Sequence, residues 1–157
     1  MAVFIGPKIV RKASGVAEYA TVSCATGQTF VKGELVYLAS GQATACASDG
    51  QVVYGIAQET ADAAATTTMT VTVEIIHPED DVEMTCSSAP TYANVGIKYA
   101  LVIVAGTSCK ADLTDTDNDC ITFVRPVYDT GGNLFGTSTT RAIFHFLPAC
   151  CQSRTGA

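Results

Sequence analysis

The stretch that decides the fold is Phe30–Ile76, FVKGELVYLASGQATACASDGQVVYGIAQETADAAATTTMTVTVEII. Glu34 to Leu38 is rich in β-branched and aromatic residues, which fit a pleated, half-buried surface. Ser40-Gly41 follows, then small residues from Gln42 to Ala47, then Asp49-Gly50. Asp-Gly is a favoured two-residue hairpin loop, because both positions take positive φ at low cost. Gln51 to Ala57 is a third apolar run, so residues 34–57 predict a three-strand meander. Beyond an Ala/Thr-rich connection (Gln58 to Thr67) the chain alternates. Met69, Val71, Val73 and Ile75 fall on one face; Thr68, Thr70, Thr72 and Glu74 fall on the other. A period of two predicts a strand with an apolar face inward.

Outward from this segment the same pattern recurs. Val16 to Cys24 alternates as a strand would, and Gly27-Gln28 turns the chain toward Phe30. Val82 to Cys86 reads as a short strand behind His77-Pro78-Glu79-Asp80-Asp81, and Ile97 to Val104 as a buried strand. Thr107 to Asp119 reads as a polar loop. Cys120 to Tyr128 reads as a strand in which Pro126 marks an edge or a bulge, and Thr139 to Leu147 is the last strand. The expectation is an all-β fold: a small β-barrel or β-sandwich of short, mainly antiparallel strands with an extended N-terminal arm. Its parts are the arm (1–15), a single β domain (16–149) and a flexible C-terminal tail (150–157).

Composition narrows the function classes. Of 157 residues, 48% are hydrophobic and only 15% charged, enough for a core and a neutral-polar surface. A net charge of −6 argues against nucleic acid as a partner, since phosphate binding needs clustered Lys and Arg. The charge is uneven: Lys8, Arg11 and Lys12 open the chain, whereas Gly33 to Ile97 holds nine acids and no Lys or Arg. One reading is a solvated acidic face; another is a basic arm that docks on an acidic neighbour. No apolar run is long enough to span a bilayer, so no membrane partner is expected. The short apolar start before Gly6-Pro7 lacks the basic region of a signal peptide, which points to synthesis in a cytoplasm.

Seven cysteines cannot all pair within one chain, and no C-x-x-C zinc spacing occurs. They read as small buried apolar residues, or as one or two disulfides formed in an oxidising medium. Cys150-Cys151, near the tail, are the candidates for a link between chains. Asp115-Thr116-Asp117-Asn118-Asp119 has carboxylates at alternate positions, but Cys120 and Pro126 stand where an EF-hand needs Gly and an acid. The loop is a solvated turn or a loose calcium site. His77 and His145 are the only imidazoles, and no nucleophile elbow, H-E-x-x-H, Walker loop or dinucleotide fingerprint is present. No catalytic residue, cofactor or metal ligand is assigned, and an enzyme is not expected.

Phe30-Val31-Lys32-Gly33-Glu34-Leu35-Val36-Tyr37, then the Gly turns, then Val53-Tyr54-Gly55-Ile56-Ala57 and the strand Met69 to Ile75, resemble the capsid cement (head decoration) proteins of tailed bacteriophages. The resemblance implies a small β-barrel core and a non-enzymatic virion protein. Such a protein sits on the outer surface of the capsid, bound to the major capsid protein at capsomer junctions, and stabilises the shell against internal DNA pressure. It implies a homo-oligomer, with a trimer favoured over a dimer. The residues chosen for capsid contact are Val3, Phe4, Ile5, Lys8, Arg11 and Lys12. The alternative is a β-sandwich binding module for a host receptor or carbohydrate, against which the absence of Trp counts.

Overall fold

In the computed structural model, residues 4–50, 52–62, 69–127 and 140–152 are described. They form β1 (Lys8–Arg11), β2 (Tyr19–Ser23), β3 (Thr29–Phe30), β4 (Leu35–Ala39), β5 (Gln42–Ala45), β6 (Gly55–Ala57) and β7 (Ala61–Asp62). The second half gives β8 (Thr70–Ile75), β9 (Asp81–Thr85), a 3-10 turn (Tyr92–Asn94), β10 (Lys98–Val104), β11 (Ser108–Asp112), β12 (Ile121–Pro126) and β13 (Arg141–Phe146). The fold is all-β, and every strand ladder is antiparallel. Two main sheets run β2-β8-β6-β4-β5 and β1-β9-β13-β12-β10-β11, and a ribbon of β3 and β7 accompanies them.

Both sheets curl toward closure. In the five-stranded sheet Cys24, just after β2, bridges Ala43 of β5, and the Ala25 N–H donates to the Ala43 carbonyl at 3.0 Å. In the six-stranded sheet Ile5 bridges Ser108 and Cys86 bridges Ala111, so β11 meets the far side of its own sheet. These bridges cover part of the edges that would otherwise template aggregation, while Lys8–Arg11 of β1 keeps an uncovered side among the described residues.

Two cores follow from the alternation of side chains. Phe30, Val36, Ala57, Val71 and Val73 fill the smaller one inside the five-stranded sheet. Phe123, Phe144, Phe146, Leu101, Met84 and Val82 dominate the larger one, where Leu35 and Ile56 join them. Neighbouring residues of β4 and β6 therefore enter opposite cores: Leu35 and Ile56 one, Val36 and Ala57 the other. A strand buried on both faces must be apolar throughout, which accounts for Leu35-Val36 and Gly55-Ile56-Ala57. Glu34 is buried at 5% exposure because its carboxylate accepts the Val31 N–H at 2.8 Å and the Gly106 N–H at 2.7 Å. That carboxylate ties the turn before β4 to the β10–β11 turn.

Gly55 carries a specific requirement. A Cβ at this position would collide with the Glu74 carbonyl oxygen and the Val73 side chain, because β6 and β8 pass there at close range. Gly55→Ala is expected to destabilise the fold by about 1–3 kcal/mol, read as a lower urea midpoint. An unchanged midpoint would mean the wall yields without strain.

Several expectations need correction. The segment 34–57 is not a meander: β4 lies between β5 and β6, so the chain returns past β4 instead of adding strands in order. The tight hairpin turn is Ser40-Gly41, with φ of 50° and 78°, and not Asp49-Gly50. Asp49 alone takes positive φ there, and the Gly50 N–H closes back on the Ala47 carbonyl. The expected loop 107–119 begins with β11, whose buried residues are small ones, Ser108, Cys109 and Ala111. The inward phase of β8 holds for Val71 and Val73, then shifts so that Ile76 rather than Ile75 is fully buried. Pro126 does accompany a bulge, between Phe123 and Arg125.

The C-terminal stretch is also built in as far as Gln152. Cys151 bridges Val53, and the Gln152 side chain exchanges hydrogen bonds with both backbone groups of Leu38. Cys150 and Cys151, the candidates for a link between chains, are each buried at 4% exposure, so neither thiol is presented on the surface of the chain. All seven cysteines are buried. Burial pushes the Cys46 and Cys86 thiols up to about 12, so both stay protonated and unreactive at neutral pH.

Candidate functional site

The described residues chosen for contact with a partner lie in β1 (Lys8, Arg11) or beside it (Phe4, Ile5, Lys12), and most of them are engaged by the chain's own body. Phe4 is buried at 8% exposure in the larger core. Ile5 is 55% exposed, although its backbone N–H donates to Thr107 and its carbonyl accepts from Cys109. Lys8, Ile9 and Arg11 pair with Glu83, Val82 and Asp81 of β9. Val3 lies outside the described residues. Over Lys8–Arg11 the stretch read as an extended N-terminal arm is a strand of the six-stranded sheet.

The acidic neighbour sought for the basic arm lies within the same chain. In the antiparallel register Arg11 stands opposite Asp81, so the next residue, Lys12, meets Asp80. Successive side chains leave an extended chain on opposite faces, and the two pairs differ accordingly. Arg11 grips Asp81 through two nitrogens at 2.9 and 3.0 Å on the outer face. Lys12 turns inward: its Nζ donates to Asp80 Oδ2 at 2.5 Å and to the Ile75 carbonyl at 2.7 Å. Asp80 is fully buried and also accepts the Ala13 N–H at 2.9 Å and the His77 N–H at 2.9 Å.

Two imidazoles flank this seam. His145 Nε2 lies 2.8 Å from Asp81 Oδ1, and His77 Nε2 is paired with the Glu18 carboxylate. A cleft of about 390 Å³ beside His77 is lined by Ser14, Glu18, Pro78, Glu79 and Pro148. The Ser14 hydroxyl is directed to the Val16 carbonyl at 3.0 Å. Among the described residues neither imidazole is hydrogen-bonded to a hydroxyl or thiol, and no three His, Cys, Asp or Glu side chains are arranged to hold a metal. In the 115–119 loop, the Asp115 carboxylate is occupied by the Asp117 and Asn118 N–H groups and by Asn118 Nδ2.

The Arg11 hydrogen bonds, with help from His145, hold the Asp81 carboxyl below the usual value of 3.8. A carboxyl depressed by folding contributes stability that is fully present above its unfolded value and is lost as pH falls through the lower, folded one. Stability is therefore expected to drop below about pH 4. Asp81→Asn should flatten that drop and remove about 1 kcal/mol at neutral pH, since Arg11 is more than half exposed. Urea midpoints measured from about pH 6 to pH 2 check this; an identical acid slope in the variant would locate the effect elsewhere.

A second feature borders the other side of β1. A groove of about 620 Å³ is lined by Phe4 to Lys8, Val31 to Gly33, Thr85 and Arg141. Lys32 and Arg141 stand far from Lys8 in sequence, and no local pattern unites them. The Arg11-Lys12 and Asp80-Asp81 doublets carry opposite charges, but only the β1–β9 register sets which residue meets which.

No protein-family model, curated protein or solved structure matches this chain. Among the described residues, no helix is long and apolar enough to cross a membrane.

Proposed function

We propose that this chain is a structural virion protein that binds the outer surface of an assembled icosahedral phage capsid at capsomer junctions. There it stabilises the shell against the pressure of packaged DNA. The observation that carries this reading is the five-stranded sheet built largely by the segment with the resemblance, whose Val36, Ala57, Val71 and Val73 share a core with Phe30. An all-β body with few charges suits a protein packed at high copy number.

The mechanism needs no chemistry. A protein that binds only the expanded lattice shifts the equilibrium toward that lattice by the free energy of binding. Many copies, each touching the major capsid protein at more than one place, add avidity without strong single contacts. Phe4 and Lys12 are turned into the chain, and Arg11, though exposed, is paired with Asp81. That leaves Ile5 and Lys8 as the exposed members of the chosen contact set without an ion pair among the described residues. A homotrimer on the capsid exterior is the favoured assembly.

The test is to mix the purified protein with expanded, undecorated capsids and image them by electron microscopy. Stoichiometric density at capsomer junctions is the expected result. Bare capsids at saturating protein would overturn the proposal.

A further inference from the structure

β1 is the terminal strand of its sheet, hydrogen-bonded to β9 on one side and, among the described residues, with no strand along Lys8–Arg11 on the other. Two adjoining cavities of about 620 and 310 Å³ run beside it and share Pro7, Lys8, Lys32 and Gly33. Their floor is apolar, formed by Phe4, Pro7 and the wall residue Ile56. Their rim is basic. Arg141 is held at 2.8 Å by Glu83, whereas Lys8 and Lys32 are exposed and have no carboxylate partner among the described residues. Glu74 lines the second cavity and is engaged by Gln58 Nε2 at 3.4 Å. The groove thus presents two lysines without an ion-pair partner among the described residues, with Glu74 as the one carboxylate lining it, on a chain whose net charge is −6.

We infer that this groove docks an extended acidic peptide segment of a partner protein, laid along the open edge of β1. An extended segment turns alternate side chains to opposite sides. Apolar ones can enter the Phe4–Pro7–Ile56 floor while carboxylates reach Lys8 and Lys32. A lone small anion would use the two lysines and leave the apolar floor empty; the elongated, two-cavity shape favours the peptide. The partner's identity as a capsid subunit rests on the proposed function, but its acidic, extended chemistry rests on the groove alone.

The test titrates the full chain with a fluorescein-labelled peptide of about eight alternating Glu and Val residues, read by anisotropy. Saturable binding is expected. It should weaken about tenfold or more for an alternating Lys and Val peptide, and by a similar factor in the Lys8→Glu/Lys32→Glu variant. Both lysines are exposed, so the variant's melting curve should match the parent's. Equal affinity for the two peptides, or full affinity in the variant, would overturn the inference. So would displacement of the peptide by inorganic phosphate beyond that by chloride at equal ionic strength, which marks a simple anion site. Capsid occupancy separates the two proposals. If the variant decorates capsids as well as the parent and no acidic peptide binds, the groove fails while the capsid reading stands. If the peptide binds and the parent leaves capsids bare, the reverse holds.

Discussion

Asp80→Ala is expected to destabilise the protein by about 3–5 kcal/mol, because it strands the buried Lys12 ammonium without its counter-charge. The side chains of Lys12 and Asp80 are only 7% and 0% exposed. The Asp80 carboxylate also satisfies the Ala13 and His77 N–H groups, so its removal leaves three donors short at once. Since domains of this kind have a total stability of about 5–15 kcal/mol, the variant should unfold at much lower urea or fail to accumulate. The single Lys12→Met variant should also lose stability, because it leaves Asp80 charged, buried and unpaired. The double variant Lys12→Met/Asp80→Leu should recover part of the loss, since an apolar pair of similar volume removes both desolvated charges. The cycle is read from urea midpoints. Additive losses in the double variant would show that the two groups act independently, against the short contact between them.

This pair shows where sequence reading reaches its limit. The alternation in Thr70–Ile75 exposes an inward face because one face of that strand is buried, and period two then appears directly in the residues. The continuous apolar runs of β4 and β6 likewise record burial on two sides. The partnership of Lys12 with Asp80 spans 68 positions and depends on the β1–β9 register, which no local signal encodes. Strand β11 escaped notice for a different reason. Its inward residues Ser108, Cys109 and Ala111 are small, because the strand packs close to its neighbours, so the hydrophobic pattern is faint. The Ser40-Gly41 turn prevailed over Asp49-Gly50 because β5 returns immediately along β4, and both turn residues adopt the required positive φ. Of the groove, Phe4, Ile5 and Lys8 belong to the contact set read from the sequence. Lys32 and Arg141 reach it from other strands and turns, so their convergence is a product of tertiary structure.

Phe144→Ala is expected to cost about 3–5 kcal/mol, the range for truncating a fully buried aromatic side chain. Phe144 is 0% exposed in β13, a central strand, and stands opposite Phe123 of β12 and Val82 of β9. Its ring meets Phe123 edge-to-face, with centroids 5.3 Å apart and planes at 86°. Alanine would forfeit that contact and leave a cavity that the closed sheet cannot collapse to fill. Phe144→Leu keeps most of the volume and should cost less than about 2 kcal/mol. Val104→Ala supplies the contrast: the sequence pattern places Val104 in a buried strand, yet it is 53% exposed at the end of β10, so its loss should stay within about 0.5 kcal/mol. Denaturant unfolding at constant m-value checks all three. A Phe144→Ala loss no larger than that of Val104→Ala would mean that the larger core is not packed around the Phe123–Phe144 pair. With that packing gone, nothing would fix the register that brings Asp81, between Arg11 and His145, to the end of β1.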